Sequence, residues 1–257
     1  MISVIIPNFN DLRIIRTLSS ILNQTYKEFE IIVVDGGSTN SELLKTYKKF
    51  PITHLIHEKD KGIFDALNKG IKLAKGEIVY LLGSDDYLPS CSVFELIISD
   101  FNKSPRLDGV CIGCEFIDSN GNVIRKWYPN SISAKKFKIG IFPPHFSLFL
   151  KRELYDLVGK FKYLEHKNIA CDIIWLLDLA ILKPDLFIHV EKRQKVFMEY
   201  GGASTGSFSA VLKQFVTVHS YAKQCSSKLP CWFLLSITRT FSKVFQFTVK
   251  ILPSYKK

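Results

Sequence analysis

Through the first hundred residues, unbroken apolar runs alternate with stretches whose apolar residues recur at helical spacing. ISVIIP, FEIIVVDGGS, ITHLIHE and EIVYLLGSDD read as strands, the second ending in a turn. Between them, DLRIIRTLSSILNQ places Ile15, Leu18, Ile21 and Leu22 on one helical face, with Asp11 as the expected N-cap. SELLKTYKKF is a second helix, and IFDALNKGIKLAKG a third, closed by Gly76. Strands of continuous Val, Ile and Leu separated by helices predict a mainly parallel sheet covered by helices on both faces. Ligands of such sheets collect at the carboxyl ends of the strands, where Asp35 and the adjacent pair Asp85 and Asp86 fall.

After Pro89 the pattern changes. CSVFELIISDFNKSP is a helix, and LDGVCIGCEFIDSNGNVIRKWYP reads as a hairpin turning at Asn120 and Gly121. FPPHFSLFLKRELYDLVGKF holds a buried segment and a short helix, and ACDIIWLLDLAIL is a strongly apolar helix. These signals divide the chain into a nucleotide-type half over residues 1–100, an acceptor-type half over 101–207, and a tail over 208–257. In the tail, Ser236, Arg239, Lys243, Gln246 and Lys250 share one helical face, opposite Phe233, Ile237, Phe241, Val244, Phe245 and Leu252.

Charge adds to this picture. The 257 residues carry a formal net charge of +11, which points to an anionic partner. From Tyr200 onward there is no Asp or Glu, while eight Lys and Arg residues are present, so much of the excess belongs to the tail. A basic, aromatic-rich amphipathic helix over residues 229–257 suits an anionic membrane surface, and equally a helix docked on the body. Its run CWFLLSI is far shorter than the roughly 20 residues that span a bilayer. No nucleic-acid module accompanies the charge, so no nucleic-acid partner is expected. The opening residues offer no basic leader, and the scattered cysteines fit a reducing compartment, which together predict a cytoplasmic protein. Cys111 and Cys114 form a C-x-x-C without a second pair, and read as positions of a β segment.

Asp35, Asp85 and Asp86 are the candidate chemistry. Carboxylates crowded in one cleft raise each other's pKa unless a cation sits among them. Mg²⁺ or Mn²⁺ resolves that conflict and characteristically binds one or two carboxylates together with substrate phosphates. Neither the G-x-G-x-x-G dinucleotide fingerprint nor the G-x-x-x-x-G-K-[ST] phosphate loop is present. Asp172 stands at the start of its helix, where it could also act as a cap. His54, His57, His189 and His219 show no partner pattern.

SVIIPNFN, TLSSILNQTYKEFEIIVVDGGSTN, EKDKGIFDALNKGIKLAKGEIVYLLGSDD and CDIIWLL, in this order across about the first 180 residues, resemble the family-2 glycosyltransferases, inverting sugar-nucleotide enzymes of the GT-A fold. The run from Asp60 to Ile71 and the later Tyr200 to Ser204 are similar to the branch that builds bacterial surface polysaccharides such as O-antigen or capsule. The resemblance implies that Pro7, Asn8 and Asn10 lie beside the nucleotide base and that Asp35 holds base or ribose. It implies that Asp60, Lys61 and Gly62 line the nucleotide pocket, with Asp65 and Asn68 facing the donor. Asp86 matches the metal ligand, Asp85 the carboxylate near ribose and metal, Asp172 the general base, and His145 and Ser204 the acceptor side. Gly83 stands where the family usually has an acid, Cys171 where an acid commonly precedes the base, and Leu67 where many members carry an arginine.

The implied reaction is a metal-dependent transfer of a hexosyl or N-acetylhexosaminyl group from a nucleotide-diphosphate sugar, a UDP-sugar by family frequency. Its acceptor would be a hydroxyl of a growing glycan, carried on a lipid such as polyprenyl diphosphate at the inner face of the membrane. The alternative is a non-catalytic nucleotide- or glycan-binding protein on the same fold.

Overall fold

The computed structural model describes residues 1–162, 170–199 and 208–229, together with 235 and 238. Eight strands form one mixed sheet: β1 (Ile2–Asn8), β2 (Phe29–Asp35), β3 (His54–His57), β4 (Ile78–Leu81), β5 (Gly109–Ile117), β6 (Val123–Trp127), β7 (Leu148–Lys151) and β8 (Ile188–Glu199). The order β3-β2-β1-β4 is parallel throughout. β7 then joins antiparallel to both β4 and β5. Beyond its pairing with β7, β5 takes β6 antiparallel and β8 parallel. The sheet is thus α/β and mostly parallel, as the alternating pattern implies.

The burial of each strand follows its sequence. β1, β2 and β4 are buried almost without interruption, because helices cover both faces of a parallel sheet and leave no polar side. The edge strand β3 alternates instead between half-buried and exposed positions. On the intervening helix α1 (Ile14–Leu22), Ile14, Thr17, Leu18 and Ile21 form the buried stripe. Asp11 is not its N-cap: Arg13 holds that position, and Asp11 Oδ1 accepts Arg13 N at 2.9 Å in a turn that precedes the helix. α2 (Ser41–Tyr47) is capped by Asn40, whose side chain accepts from Glu42 N and Leu43 N.

α3 (Ile63–Leu73) lies so close to the sheet that a Cβ on Gly70 would approach Ile5 Cγ2 to 2.3 Å. The helix ends at Leu73, before the expected Gly76 closure. Gly76 serves a different need: its N donates to Ser3 Oγ at 2.8 Å, and a side chain there would meet the backbone of Met1 and Ser3. Farther along the sheet, Tyr80 of β4 stacks on Phe149 of β7 at 3.9 Å, with Phe94 of α4 (Val93–Lys103) edge-on to both. The β5–β6 hairpin turns where expected, with Gly121 at φ +82°. Cys111 and Cys114 lie buried on β5 as free thiols, both pushed up by burial.

Two compact units make up the chain. The first comprises Met1–Ile132, Pro143–Phe161 and the segment from Leu186 through β8, and contains the entire sheet. It also holds the short helix α6 (Arg152–Val158). The second contains α5 (Ala134–Lys138), α7 (Cys171–Leu182) and α8 (Phe208–Gln224). Within it, α7 is buried along nearly all its length, and its one deep carboxylate, Asp178, accepts from Lys162 Nζ at 2.8 Å and from the Tyr221 hydroxyl of α8. Among the described residues no helix is long and apolar enough to cross a membrane.

Candidate donor site

Asn8 ends β1 and Asp35 ends β2, paired side by side in the parallel register. Asn8 Nδ2 donates to Tyr47 Oη at 2.6 Å, and that hydroxyl donates to Asp35 Oδ2 at 2.6 Å. Asp35 Oδ1 accepts from Gly37 N at 3.0 Å and Ser38 N at 2.6 Å, and faces His57 Nδ1 at 2.9 Å. Burial pushes the Asp35 carboxyl up, but the bonds from Tyr47, Ser38 and His57 outweigh it and hold it below the usual carboxylate range. A carboxylate offers about four lone-pair sites, so the Tyr47-bound oxygen can still accept one more donor. Asn8 Oδ1 is buried with no hydrogen-bond partner among the described residues.

The loop beyond β1 is fixed to the loop beyond β2. Asn10, at φ +52°, donates its N to Ser38 Oγ at 2.7 Å and accepts from Thr39 N and Asn40 N. Between the two asparagines Phe9 is left 64% exposed, the largest exposure among the big apolar side chains of the described residues. Pro7 is buried in β1 opposite Val34.

Asp60 joins this end of the sheet by packing its carboxylate on the Gly36 backbone: a Cβ at Gly36 would lie 2.7 Å from Asp60 Oδ2. Its other oxygen accepts Gly62 N at 2.8 Å, where Gly62 takes φ +114° to open α3. Asp65 accepts Lys61 N at 3.1 Å and pairs with Lys69 at 3.5 Å. The Asn68 carboxamide is engaged elsewhere, bonding both the N and the O of Phe161. The Phe161 ring in turn meets the buried His145 edge-on at 5.4 Å.

Asp85 and Asp86 follow β4 in a tight turn closed by Asp86 N on Gly83 O at 3.1 Å. Thr17 of α1 clamps this turn, its hydroxyl lying 2.8 Å from Ser84 O and 2.6 Å from Asp86 O. Arg16 holds Asp85 O at 2.8 Å. Both carboxylates converge on Gly83, where a Cβ would lie 2.6 Å from Asp86 Oδ2 and 3.0 Å from Asp85 Oδ1. Asp86 is buried, and its Oδ1 accepts Glu199 N from the end of β8 at 3.3 Å. Glu199 pairs its own carboxylate with Arg13 at 2.7 Å and Arg16 at 3.0 Å, and Arg13 also stands 3.7 Å from Asp85 Oδ2.

The electrostatics of this pair suit a hard divalent cation. Burial pushes Asp85 up against the pull of Arg13; burial and the neighbouring Asp85 charge push Asp86 well up. Four carboxylates (Asp11, Asp85, Asp86 and Glu199) face two arginines (Arg13 and Arg16), which leaves an excess of negative charge at the turn. Two carboxylate oxygens converging beside a glycine, with that excess around them, match the oxygen donor set such cations take.

The sequence reading named the carboxylates and missed the groups that orient them: Thr17, Arg13, Arg16, Glu199, Tyr47 and His57. Two arginines three residues apart in an otherwise apolar helix start were the available signal for Arg13 and Arg16. Asp172 lies in the first turn of α7, half-buried, and Ala170 before it is at φ +62°, a left-handed conformation rare outside glycine. Ala170 is the N-cap residue there, so Asp172 does not cap its helix. Ser204 and most of the 229–257 tail lie outside the described residues.

Residues 3–158 match the profile described as "Glycosyl transferase family 2". A chondroitin synthase from Escherichia coli is 32% identical over 197 residues, covering 75% of this chain and 28% of that protein, so the chain spans under a third of its length. Among solved structures, S. aureus TarS 1-349 in complex with UDP-GlcNAc has a TM-score of 0.72 at 18% identity, covering 98% of this chain and 76% of that one. The mannosyltransferase PcManGT from Pyrobaculum calidifontis, in complex with GDP-Man and Mn2+, has a TM-score of 0.58 at 16% identity, covering 96% of this chain and 74% of that one. At these identities the structural likeness concerns the fold.

Proposed function

The chain belongs to glycosyl transferase family 2, and on that premise we propose that it moves a sugar from a nucleotide-diphosphate donor to a hydroxyl of a growing bacterial surface glycan, inverting the anomeric carbon. The observation that carries this reading is that Asn8, Asp35 and the Asp85–Asp86 turn all fall at the carboxyl ends of three adjacent parallel strands. A UDP-sugar is the proposed donor, supported by the UDP-GlcNAc complex of the TarS neighbour. Polysaccharide as the product is supported by the relationship to a chondroitin synthase.

Each role rests on a stated feature. The exposed face of Phe9 suits stacking on the base. The unsatisfied Asn8 Oδ1 and the remaining lone pair of Asp35 suit N–H and O–H donors of base and ribose. Asp60, Lys61, Gly62 and Asp65 border the same loops, and Asn68 braces them through Phe161. Asp85 and Asp86 would hold Mn²⁺ or Mg²⁺, which when bound offsets negative charge growing on the departing diphosphate. Thr17, Arg16 and Glu199 keep the two carboxylates aimed at one point, so no reorganisation is needed as charge develops. Asp172 is assigned the general-base role on the acceptor hydroxyl, with His145 and Ser204 on the acceptor side. The basic tail fits a lipid-linked acceptor at the inner face of the membrane, with the protein peripheral to it.

Calorimetry with UDP, dTDP and GDP, with and without Mn²⁺, tests the donor site, with Asp86→Asn as control. Metal-dependent binding of one nucleotide, lost in the variant, is expected. Binding that ignores both metal and Asp86, or no binding, would replace the enzyme with the non-catalytic nucleotide- or glycan-binding alternative.

A further inference from the structure

The end of β8 opposite Glu199 carries a cluster that the donor site does not use. His189 and Glu191 are two residues apart on the strand and so project from one face of the sheet. α4 packs against this part of the sheet and places Asp100 beside them. One ligand atom from each of the three side chains lies within 4.8 Å of the others.

Asp100 is nine-tenths buried, and its Oδ2 has no hydrogen-bond partner among the described residues. A buried oxygen left this way calls for an explanation. His189 Nε2 is 3.7 Å from it, beyond hydrogen-bonding distance. Two ligands bound at about 2.0–2.1 Å to a tetrahedral zinc stand roughly 3.3 Å apart, so a small closing movement brings both atoms onto one ion.

Glu191 is held by Arg193. Its Oε1 accepts Arg193 N at 2.8 Å and Arg193 Nε at 2.9 Å, and its Oε2 pairs with the same guanidinium. Metal-ligating carboxylates are commonly fixed by such outer hydrogen bonds. A bulge makes the arrangement: opposite Ile112 and Gly113 the partner jumps from Glu191 to Lys195, which turns Arg193 back onto Glu191. Lys103 and Arg193 compete with an ion here: the long and exposed side chain of Lys103 is 3.8 Å from Asp100 Oδ1, and Arg193 pairs with Glu191 and also feels the Asp100 charge.

We propose that Asp100, His189 and Glu191 form a second divalent-cation site, apart from Asp85 and Asp86, that takes a zinc-type ion and pins α4 to β8. One imidazole and two carboxylates favour such an ion over Mg²⁺ or Ca²⁺, which prefer all-oxygen sites. The ion would stabilise the strand whose far end presents Glu199 to Asp86.

The test uses the full, tag-free chain as wild type, Asp86→Asn, His189→Ala and Asp100→Asn, titrated with Zn²⁺ and Co²⁺. His189 is half exposed and Asp→Asn keeps its shape, so the variants retain the fold. One Co²⁺ equivalent with the visible absorption of a four-coordinate site should remain in Asp86→Asn and weaken at least tenfold in the other two. Zn²⁺ should raise the unfolding midpoint of wild type and Asp86→Asn only. The proposal is overturned if no equivalent survives in Asp86→Asn or if binding persists in both His189→Ala and Asp100→Asn. A near-ultraviolet thiolate band would likewise overturn it, placing the ion on cysteine.

Discussion

Asp86→Asn should make the protein more stable and, at the same time, abolish its response to Mn²⁺. Asp86 is buried beside a second carboxylate, and both circumstances push its carboxyl well above the ordinary value of 3.8. The native state therefore holds this proton more tightly than the unfolded state does. Its stabilising effect is complete below pH 3.8 and is lost as pH rises through the native value, so above the acid range the metal-free wild type carries the cost of a buried group that resists its charge. The substitution removes that charge while its oxygen can still accept Glu199 N, and its new amide points toward the Gly83 face that Asp85 Oδ1 also approaches. Desolvating a buried polar group costs about 1–3 kcal/mol, which sets the scale of the expected gain at pH 7 in chelator. The difference from wild type should shrink toward zero as pH falls below about 4. Mn²⁺ at a hundredfold excess over its Kd should stabilise wild type by about 2.7 kcal/mol and the variant not at all. Urea unfolding between pH 4 and 8, in EDTA and in Mn²⁺, measures both effects. A variant less stable than wild type in EDTA at pH 7, or equal Mn²⁺ responses, would refute the reasoning.

Three other outcomes are expected. Phe9→Ala should weaken binding of the cognate nucleoside diphosphate by about 1–3 kcal/mol, the worth of one base–aromatic stack, with no change in unfolding midpoint because the ring is largely exposed; calorimetry and a thermal melt check the two halves. Gly70→Ala forces a methyl into Ile5 and should cost about 1–3 kcal/mol in urea unfolding, since α3 cannot stay seated on the sheet at its present distance. Asp172→Asn should leave nucleotide binding intact and lower transfer by about 10²–10⁴-fold, measured as sugar release against calorimetric affinity; loss of nucleotide affinity would remove Asp172 from the base role.

The most legible part of this protein is its first hundred residues. Strands buried on both faces must be apolar throughout, so β1, β2 and β4 stand out as unbroken runs, and the α1 stripe repeats at the helical period. β8 did not stand out: IHVEKRQKVFME is rich in charge, is interrupted by a bulge, and satisfies its ionic groups through local pairs such as Glu191 with Arg193. β7 is four residues long, and its place between β4 and β5 is fixed by pairing across distant sequence. Asp11 and Gly76 were assigned capping roles from local chemistry, whereas an Asx-type turn and close packing on Ser3 govern them.

The alternation of strand and helix, the parallel core and the delivery of Asp35, Asp85 and Asp86 to strand exits are written in local pattern, because periodicity and turn chemistry act over a few residues. What surrounds those carboxylates is set by the folded arrangement instead. Tyr47 and His57 on Asp35, Thr17 and Arg16 on the acidic turn, and Glu199 on Asp86 come from elements 12 to 113 residues away in the chain. Such contacts depend on which strands become neighbours, and no local pattern encodes that.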